Sequence, residues 1–242
     1  MKAVILAGGL GTRMGPETAS RPKALVEVGG RPIIWHILKI YEAHGITDFV
    51  ICAGFAADQL IEHFAREQYA GWRVEVVDTG ERTATGGRLR RVRDVVGNDT
   101  FCMTYSDGVA DIDISKQLAF HRQHGLMATV TAVEPRLPFG VVHFQDGSAA
   151  VSFEEKPRMS GLWVNSGFFV LEPRALNYIE RDDESWEEGP MSRLASIGQL
   201  AAFKHERFWQ CMDAPRDRDL LEQLWRGGYA PWKSAWRRSA DL

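Results

Sequence analysis

The chain has 242 residues, of which 45% are hydrophobic and 25% are charged. This composition is typical of a folded globular protein and excludes an intrinsically disordered chain. The formal net charge is only −3, so no overall positive field favours nucleic acid or an anionic membrane.

Alternating short apolar runs and helix-period segments in residues 1–125 predict βαβ units and a mainly parallel sheet. The predicted strands of this half are Lys2–Ala7, Phe49–Ala53, Arg73–Val77 and Phe101–Tyr105. The predicted helices are Arg31–His44, Ala57–Glu67, Gly86–Val96 and Ile114–His124. We expect the arginines of the third helix, and His121 and His124 of the fourth, on the surface.

The second half, residues 126–242, has a more antiparallel pattern, with a hairpin turn predicted at Asp146-Gly147. Its predicted strands are Met127–Val133, Gly140–Phe144, Ala149–Phe153, Leu162–Leu171, Leu200–Lys204 and Phe208–Met212. Its predicted helices are Pro173–Glu180, Pro190–Ser196 and Arg216–Arg226. The sequence therefore predicts one α/β domain over 1–242, built on a Rossmann-like mixed, mainly parallel sheet flanked by helices.

The three cysteines, Cys52, Cys102 and Cys211, form no Cys-x-x-Cys pair. An odd, scattered set argues against a disulfide framework or a zinc ribbon and fits a reducing compartment. The first apolar run is too short for a signal peptide. We therefore expect a cytoplasmic protein with core thiols and no membrane span.

A glycine-rich segment follows the first predicted strand: Leu6-Ala7-Gly8-Gly9-Leu10-Gly11-Thr12-Arg13. Glycines let backbone N–H groups approach an anion or a flat base. The spacing matches neither the dinucleotide fingerprint nor the Walker loop. Arg13 and Lys23 supply cations suited to phosphate oxygens. A tight turn is the alternative, but the two cations favour phosphate binding.

Asp107 and Asp213 each follow a short predicted strand, where open α/β sheets place their ligands. One or two carboxylates with phosphates and water is the set that Mg²⁺ prefers. Taken singly, each aspartate is more readily a turn former or a helix cap. Asp111 and Asp113 are expected to cap the helix that follows them.

Glu155 and Lys156 follow another predicted strand, and Asn165 leads into the next. A carboxylate can accept from sugar hydroxyls and an ammonium can neutralise a phosphate. An ordinary charged loop and a turn residue are the alternatives.

Taken together, these motifs resemble the sugar nucleotidyltransferases. The segments Thr85-Gly86-Gly87-Arg88-Leu89 and Phe208-Trp209-Gln210 narrow the resemblance to the glucose-1-phosphate cytidylyltransferases. It implies a Mg²⁺-dependent cytoplasmic homo-oligomer that converts CTP and α-D-glucose 1-phosphate into CDP-glucose and pyrophosphate, as an entry to deoxysugar synthesis. It also implies a nucleotide-binding half (1–125) and a sugar-phosphate-binding half (126–242), with no nucleic acid or membrane partner.

The resemblance also implies roles for individual residues. The nucleotide would be held by residues 6–13 with Lys23 and Gly87. The sugar phosphate would be held by Gly140, Glu155, Lys156 and Asn165, and the metal by Asp107 and Asp213. Arg13, Lys23 and Asp107 would be the catalytic residues.

The sequence departs from this family at Arg82, Ser106 and Ser166, and in the short segment Phe64–Arg73. These departures keep open the same reaction with another nucleoside triphosphate or sugar phosphate. A non-catalytic nucleotide-sugar sensor is an alternative of a different class, although it would not need a two-carboxylate metal site.

Overall fold

The computed structural model describes residues 1–67, 69–137, 139–145, 147–148, 150–234 and 236. The strands are β1 (Lys2–Ala7), β2 (Glu27–Val28), β3 (Arg31–Pro32), β4 (Asp48–Ala53), β5 (Arg73–Asp78), β6 (Phe101–Tyr105), β7 (Gly108–Ala110), β8 (Ala128–Val133), β9 (Val141–Phe144), β10 (Ala150–Glu154), β11 (Val164–Leu171), β12 (Leu200–His205) and β13 (Trp209–Cys211). The α-helices are α1 (Ile33–Glu42), α2 (Ala57–Arg66), α3 (Thr85–Arg91), α4 (Arg93–Val96), α5 (Ile114–His124), α6 (Pro190–Ser196) and α7 (Pro215–Arg226). Short 3₁₀ helices cover Thr12–Thr18, Lys23–Leu25, Pro173–Tyr178 and Pro231–Lys233.

The main sheet has seven strands in the order β12-β8-β11-β6-β1-β4-β5. The pairs β1–β4, β1–β6, β4–β5 and β8–β12 are parallel. Only β11 runs the other way, between β6 and β8. The predicted mixed, mainly parallel sheet is confirmed, and the β6–β11 pair joins strands of the two halves of the chain.

Strand β1 shows why an unbroken apolar run forms a central strand here. Ala3, Ile5 and Ala7 pack into the core on one face of the sheet, whereas Val4 and Leu6 pack into the core on the other. Side chains alternate across a strand, so a strand covered on both faces needs apolar residues at every position. Helix α1 contributes to the first core, and α3 and α6 contribute to the second.

Three two-stranded sheets lie outside the main one: β2–β3, β7–β13 and β9–β10. In the second of these, Cys211 is paired with Gly108, and the Met212 N–H donates to the Asp107 carbonyl oxygen at 2.8 Å. This pairing brings two loops that are about a hundred positions apart in the sequence side by side. Asp146, in the turn predicted between β9 and β10, lies outside the described residues.

Several predicted helices have different bounds in the structure. The helix predicted over Pro173–Glu180 is a 3₁₀ helix over Pro173–Tyr178. The helix predicted over Arg31–His44 begins only at Ile33, because Arg31 and Pro32 pair with β2. The helix predicted over Gly86–Val96 is divided at Val92 into α3 and α4.

Two side chains predicted on the surface are buried. Arg88 of α3 is 3% exposed and His121 of α5 is 2% exposed. The His121 ring contacts the Thr129 hydroxyl at 2.8 Å and Glu172 at 3.1 Å, because α5 packs against the sheet. Asp113 caps α5 as predicted, but Asp111 instead pairs with His205 at 3.1 Å.

None of the helices in the described part of the chain has the length and apolar character that a bilayer crossing requires. The prediction of core thiols holds for Cys52 and Cys102, which are buried, whereas Cys211 is partly exposed.

Candidate active site

A cleft of about 460 Å³ opens at the carboxyl ends of β1 and β6. It is lined by residues 6–13 of the glycine-rich segment, by Lys23 and Ala24, by Thr83, Ala84, Thr85 and Arg88, and by Tyr105, Ser106 and Asp107. The whole glycine-rich segment therefore forms one wall of the cleft. This is the sheet edge at which an α/β fold binds its ligands.

Three glycines of this wall differ in what a side chain at their position would contact. A Cβ on Gly8 would lie 2.0 Å from the Arg88 guanidinium, so this position requires glycine for packing. Gly11 has a φ of +62°, in the left-handed region, with the Lys23 Cβ 3.1 Å from where its own Cβ would be. A Cβ on Gly9 would meet nothing within 4 Å, so among these three only Gly9 faces open space.

Lys23 lies between the two predicted metal-binding carboxylates. Its Nζ donates to Asp107 Oδ2 at 2.7 Å and to Asp213 Oδ1 at 2.8 Å. Arg13 reaches the same cluster, with Nη1 3.0 Å from Asp213 Oδ2, although its side chain is 76% exposed. The structure thus brings together the two cations predicted to bind phosphate and the two carboxylates predicted to bind the metal.

These contacts shift the pKa values of two members of the cluster. Burial alone would lower the pKa of Lys23, but Asp107 and Asp213 outweigh it and the pKa lies above its usual value. Burial alone would raise the pKa of Asp213, but Lys23 and Arg13 hold it below its usual value. Both groups are therefore ionised at neutral pH.

The position of Asp213 is fixed from helix α7. Asp217 Oδ2 accepts from the backbone N–H of Asp213 at 3.0 Å and of Ala214 at 2.8 Å. Asp217 is the third residue of α7, after Pro215 at the first position, and both residue types are favoured there. Strand β13 therefore leads directly into Asp213, and the N-terminus of α7 fixes its position.

Asp107, Cys211 and Asp213 each place one ligand atom within 4.8 Å of the other two. Among the described residues this is the one such group of three that could hold a metal ion. The Lys23 ammonium shows that a cation fits between the two carboxylates. Two carboxylates beside a phosphate-binding loop suit a divalent cation with oxygen ligands.

Asn165 is linked to the cleft through Tyr105. The Asn165 Nδ2 donates to the Tyr105 hydroxyl at 3.2 Å, and that hydroxyl donates to Glu187. Burial, followed by the charge of Glu187, raises the pKa of Tyr105, so the phenol stays neutral. Asn165 Oδ1 also accepts from the Gly167 N–H at 2.8 Å, so the side chain is held at both ends.

Glu155 and Lys156 lie outside the lining of the cleft, beyond the end of β10. Their side chains are 62% and 61% exposed and pair with each other at 3.7 Å. Gly140 belongs to the same region, since a Cβ there would lie 2.3 Å from Phe153 and 3.0 Å from Glu155 Oε2. The structure groups these residues with one another rather than with Lys23, and their sugar-binding role stays a prediction.

Gly87 also lies outside the cleft lining. A Cβ at this position would be 2.1 Å from the carbonyl oxygen of Asp182, so tight packing explains the glycine. Its predicted contact with the base stays a prediction.

Of the three residues at which the sequence departs from the family pattern, two lie away from the cleft. Arg82 is exposed and does not line it. The Ser166 hydroxyl donates to the Thr131 carbonyl oxygen at 3.0 Å. Only Ser106 lines the cleft.

A family model described as nucleotidyl transferase matches residues 2–213. The chain belongs to the nucleotidyl transferase family. The matched range runs from the first strand to the second carboxylate of the cluster, so it includes the glycine-rich segment, Lys23, Asp107 and Asp213.

This nucleotidyl transferase is similar in sequence to two named enzymes, and more similar to the first of them. It is 46% identical to a glucose-1-phosphate cytidylyltransferase of Salmonella typhi, over 97% of this chain and 99% of that protein. It is 35% identical to a mannose-1-phosphate guanyltransferase of Aspergillus fumigatus, over 90% of this chain but 62% of that protein. The first alignment spans 256 residues, more than this chain contains, so the relative has residues that this chain lacks.

The fold of this nucleotidyl transferase is similar to that of HddC from Yersinia pseudotuberculosis. The TM-score is 0.73 at 20% identity, with 93% of this chain and 99% of that chain covered. At this level of identity the likeness supports the fold alone.

Sequence reasoning missed Arg88, Asp217 and Cys211 as residues of this nucleotidyl transferase site. Arg88 is four and eight residues before Val92 and Val96, so it shares their buried helix face. Asp217 stands third in a helix that begins with proline. Cys211 is the last residue of β13, two residues before Asp213.

Proposed function

We propose that this nucleotidyl transferase transfers the cytidylyl group of CTP to α-D-glucose 1-phosphate, forming CDP-glucose and pyrophosphate. The observation that carries the reaction type is the cluster of Lys23, Asp107 and Asp213 at the end of a cleft lined by the glycine-rich segment. The choice of CTP and glucose 1-phosphate rests on the 46% identical relative.

In this proposal residues 6–13 hold the base, ribose and phosphates of the nucleotide. Arg13 and Lys23 neutralise phosphate charge, with Gly87 beside the base. Gly140, Glu155, Lys156 and Asn165 hold the sugar 1-phosphate, and the two halves of the chain act as one domain. Tyr105 supports this arrangement, because it lines the cleft and also contacts Asn165.

The reaction needs no general base, because the attacking phosphate oxygen is already anionic. This oxygen forms a bond to the α-phosphorus of the nucleotide. The bond from the α-phosphorus to the bridging oxygen breaks, and its electron pair leaves with pyrophosphate. The main obstacle is repulsion between two anions, which fixed cations at Arg13 and Lys23 reduce.

Asp107 and Asp213 would hold a divalent cation, which we propose to be Mg²⁺. Oxygen ligands from two carboxylates and the substrate phosphates are its usual set. When bound, it supplies positive charge at the transferring phosphoryl group. Lys23 would then exchange its carboxylate partners for phosphate oxygens.

The test is pyrophosphate release by the purified chain with Mg²⁺. Each of CTP, dTTP, UTP, ATP and GTP is combined with a panel of sugar 1-phosphates. Asp107→Asn and a reaction without divalent metal serve as controls. We expect release with CTP and glucose 1-phosphate that both controls abolish.

Each other outcome has a defined meaning. Release with a different pair would keep the reaction type and overturn the substrate assignment. No release from any pair, with intact nucleotide binding, would overturn the enzymatic proposal in favour of a nucleotide-sugar sensor.

A further inference from the structure

Five of the side chains that line the cleft carry a hydroxyl group: Thr12, Thr83, Thr85, Tyr105 and Ser106. Two of these hydroxyls bind the same carboxylate of the protein. Thr85 Oγ1 donates to one oxygen of Glu187 at 2.7 Å, and the Tyr105 hydroxyl donates to the other. Thr12 is exposed to solvent. These three hydroxyls are therefore bound within the protein or hydrated.

Ser106 and Thr83 differ from these three because both are nearly buried, with exposed fractions of 8% and 9%. Neither hydroxyl forms a hydrogen bond with another described residue, and neither oxygen is sealed off from solvent. Buried polar groups in folded proteins nearly always have a hydrogen-bond partner. A hydroxyl that lines a cleft and has no partner within the described protein is available to a ligand.

Ser166 shows the contrast between a structural serine and Ser106. It is also one of the positions at which the sequence departs from the family pattern, and it is 4% exposed. Its hydroxyl donates to the Thr131 carbonyl oxygen at 3.0 Å. The fold therefore explains the hydroxyl of Ser166, whereas it does not explain that of Ser106.

Ser106 lies where the two halves of the chain meet. It directly follows β6, which pairs with β1 on one side and with β11 on the other. Strand β1 leads into the glycine-rich segment that is proposed to hold the nucleotide, and β11 contains Asn165, which is proposed to hold the sugar phosphate. Thr83, in contrast, lies between β5 and α3 in the first half. Ser106 is therefore placed between the two proposed substrate sites.

The chemistry of the Ser106 side chain suits an uncharged part of a substrate. Phosphate charge in the proposed reaction is matched by Arg13, Lys23 and the divalent cation. A serine hydroxyl can both donate and accept a hydrogen bond, and so can the ring hydroxyls of a ribose or a hexose. A site that hydrogen-bonds a substrate hydroxyl discriminates against an analogue that lacks it.

We propose that Ser106 is a specificity-determining residue whose hydroxyl binds a ring hydroxyl of a substrate, either on the ribose of the nucleotide or on the hexose of the sugar phosphate. This inference rests on the proposed function, because it assigns a contact within that same site. It predicts that removing the Ser106 hydroxyl and removing one substrate hydroxyl have effects that are not independent. A role in packing alone would change the affinity for a substrate and for its deoxy analogues by the same factor.

The experiment is a double-mutant cycle between the protein and its ligands. Ser106→Ala removes the hydroxyl and keeps the Cβ, and Ser115→Ala, at an exposed position of α5, is the matched control. Ligand-free melting first establishes that each variant is folded. Calorimetry with Mg²⁺ then gives Kd for CTP, 2′-deoxy-CTP and 3′-deoxy-CTP. A second series gives Kd for glucose 1-phosphate and its 2-, 3-, 4- and 6-deoxy analogues, with saturating α,β-methylene-CTP as an unreactive nucleotide.

We expect Ser106→Ala to raise Kd for one of the two parent substrates by ~5-fold, the scale of losing one neutral hydrogen bond. One deoxy analogue of that substrate should bind the unmodified chain more weakly by a similar factor. The same analogue should bind Ser106→Ala as well as the parent substrate does, within about twofold. The series in which this occurs identifies the ribose or the hexose as the source of the hydroxyl. Ser115→Ala should match the unmodified chain throughout.

Kd values for both parent substrates within about twofold of the unmodified chain in folded Ser106→Ala would overturn the inference. It would also be overturned if every deoxy analogue lost affinity by the same factor in Ser106→Ala as in the unmodified chain, since Ser106 would then not bind a ring hydroxyl. If Ser106→Ala does not fold, the same criteria apply to Ser106→Gly.

Failure of the proposed function is distinguishable from failure of this inference. It would appear as no pyrophosphate release by the unmodified chain, whereas the binding measurements involve no turnover and still decide the role of Ser106. Binding of neither parent substrate by the unmodified chain would overturn both.

Discussion

At the scale of single residues, Lys23 is expected to compete with the metal and to neutralise phosphate charge, and one substitution can separate these two effects. Its ammonium occupies the space between Asp107 and Asp213, where the proposed metal would bind, and it also supplies charge to the phosphates. Lys23→Ala should therefore lower kcat/KM by ~100-fold or more while strengthening divalent metal binding. The measurements are steady-state kinetics and a Mn²⁺ titration.

The exposed Lys116 provides the control, and Lys116→Ala should change neither quantity. Normal turnover in Lys23→Ala would refute its role in the reaction. Weaker Mn²⁺ binding would show that the ammonium does not compete for the metal.

Asp107 contributes a formal charge to the same cluster, and Asp107→Asn keeps its size while removing that charge. We expect kcat to fall by at least ~100-fold, the scale of losing one electrostatic partner of the transition state. Asp99→Asn, two residues before β6, serves as the matched control. Near-normal turnover in Asp107→Asn would remove Asp107 from the site.

At the scale of elements, the N-terminus of α7 positions the second carboxylate. Asp217→Ala removes the acceptor for two backbone N–H groups, so we expect a loss of about 1 kcal/mol in the free energy of unfolding. The Mg²⁺ concentration for half-maximal turnover should also rise, because Asp213 is no longer held. Urea unfolding and a Mg²⁺ titration measure the two effects.

Asp219→Ala tests the same helix without this contact, since the Asp219 side chain is 66% exposed. It should leave the Mg²⁺ requirement unchanged. An equal change in both variants would mean that α7 does not position Asp213 through Asp217.

Elements with a local signal could be predicted from the sequence to within a residue or two. Strand β1 and helix α5 have the predicted bounds, because an apolar run and the capping residue Asp113 define them. Strand β7 was missed because it exists through pairing with β13, about a hundred positions away. The β2–β3 hairpin was missed because its two-residue strands are too short to show a periodic pattern.

The residues of the candidate site also divide into those whose position a local sequence pattern indicates and those whose position depends on the tertiary fold. The position of Asp107 beside the glycine-rich segment follows from β1 and β6, which are parallel neighbours and end at the same edge of the sheet. Lys23 lies on a 3₁₀ helix and Asp213 follows β13 of a separate two-stranded sheet, so their convergence on Asp107 depends on tertiary packing. The burial of Arg88 could not be predicted, because its guanidinium donates to five oxygens in three separate segments whose approach is set by the tertiary fold. The positions of Glu155 and Gly87 outside the cleft lining depend equally on loop packing that no local pattern reports.

At the scale of the whole molecule, the C-terminal segment is packed against helix α1 through a cluster of aromatic rings. His36 of α1 is fully buried, with the rings of Trp225 and Trp232 at 4.9 Å and 6.0 Å. The Trp232 indole N–H donates to His36 Nδ1 at 3.2 Å, and His36 Nε2 lies 2.8 Å from the Val28 carbonyl oxygen. The ring must therefore be neutral, with its one proton on Nε2.

Protonation of His36 would place two N–H groups against each other and bury a charge. Burial accordingly lowers the pKa of His36 to about 4. An unfolded histidine has a pKa near 6.5, so below that pH the unfolded chain binds a proton that the folded chain does not. Stability is therefore retained above about pH 6.5 and is lost as the pH falls toward 4.

Between pH 7.5 and pH 5, His36 should account for about 2 kcal/mol of the loss in the free energy of unfolding, at 1.36 kcal/mol for each pH unit below 6.5. Urea unfolding at both pH values, with and without His36→Gln, isolates this share from the other histidines. The variant should be less stable at pH 7.5, since it disturbs the aromatic cluster, but should lose less stability on acidification. His143→Gln, at an exposed position of β9, should retain the full pH dependence. Equal losses in the unmodified chain and in His36→Gln would show that the ring accepts a proton in the folded state, and that the aromatic cluster does not enforce its neutral form.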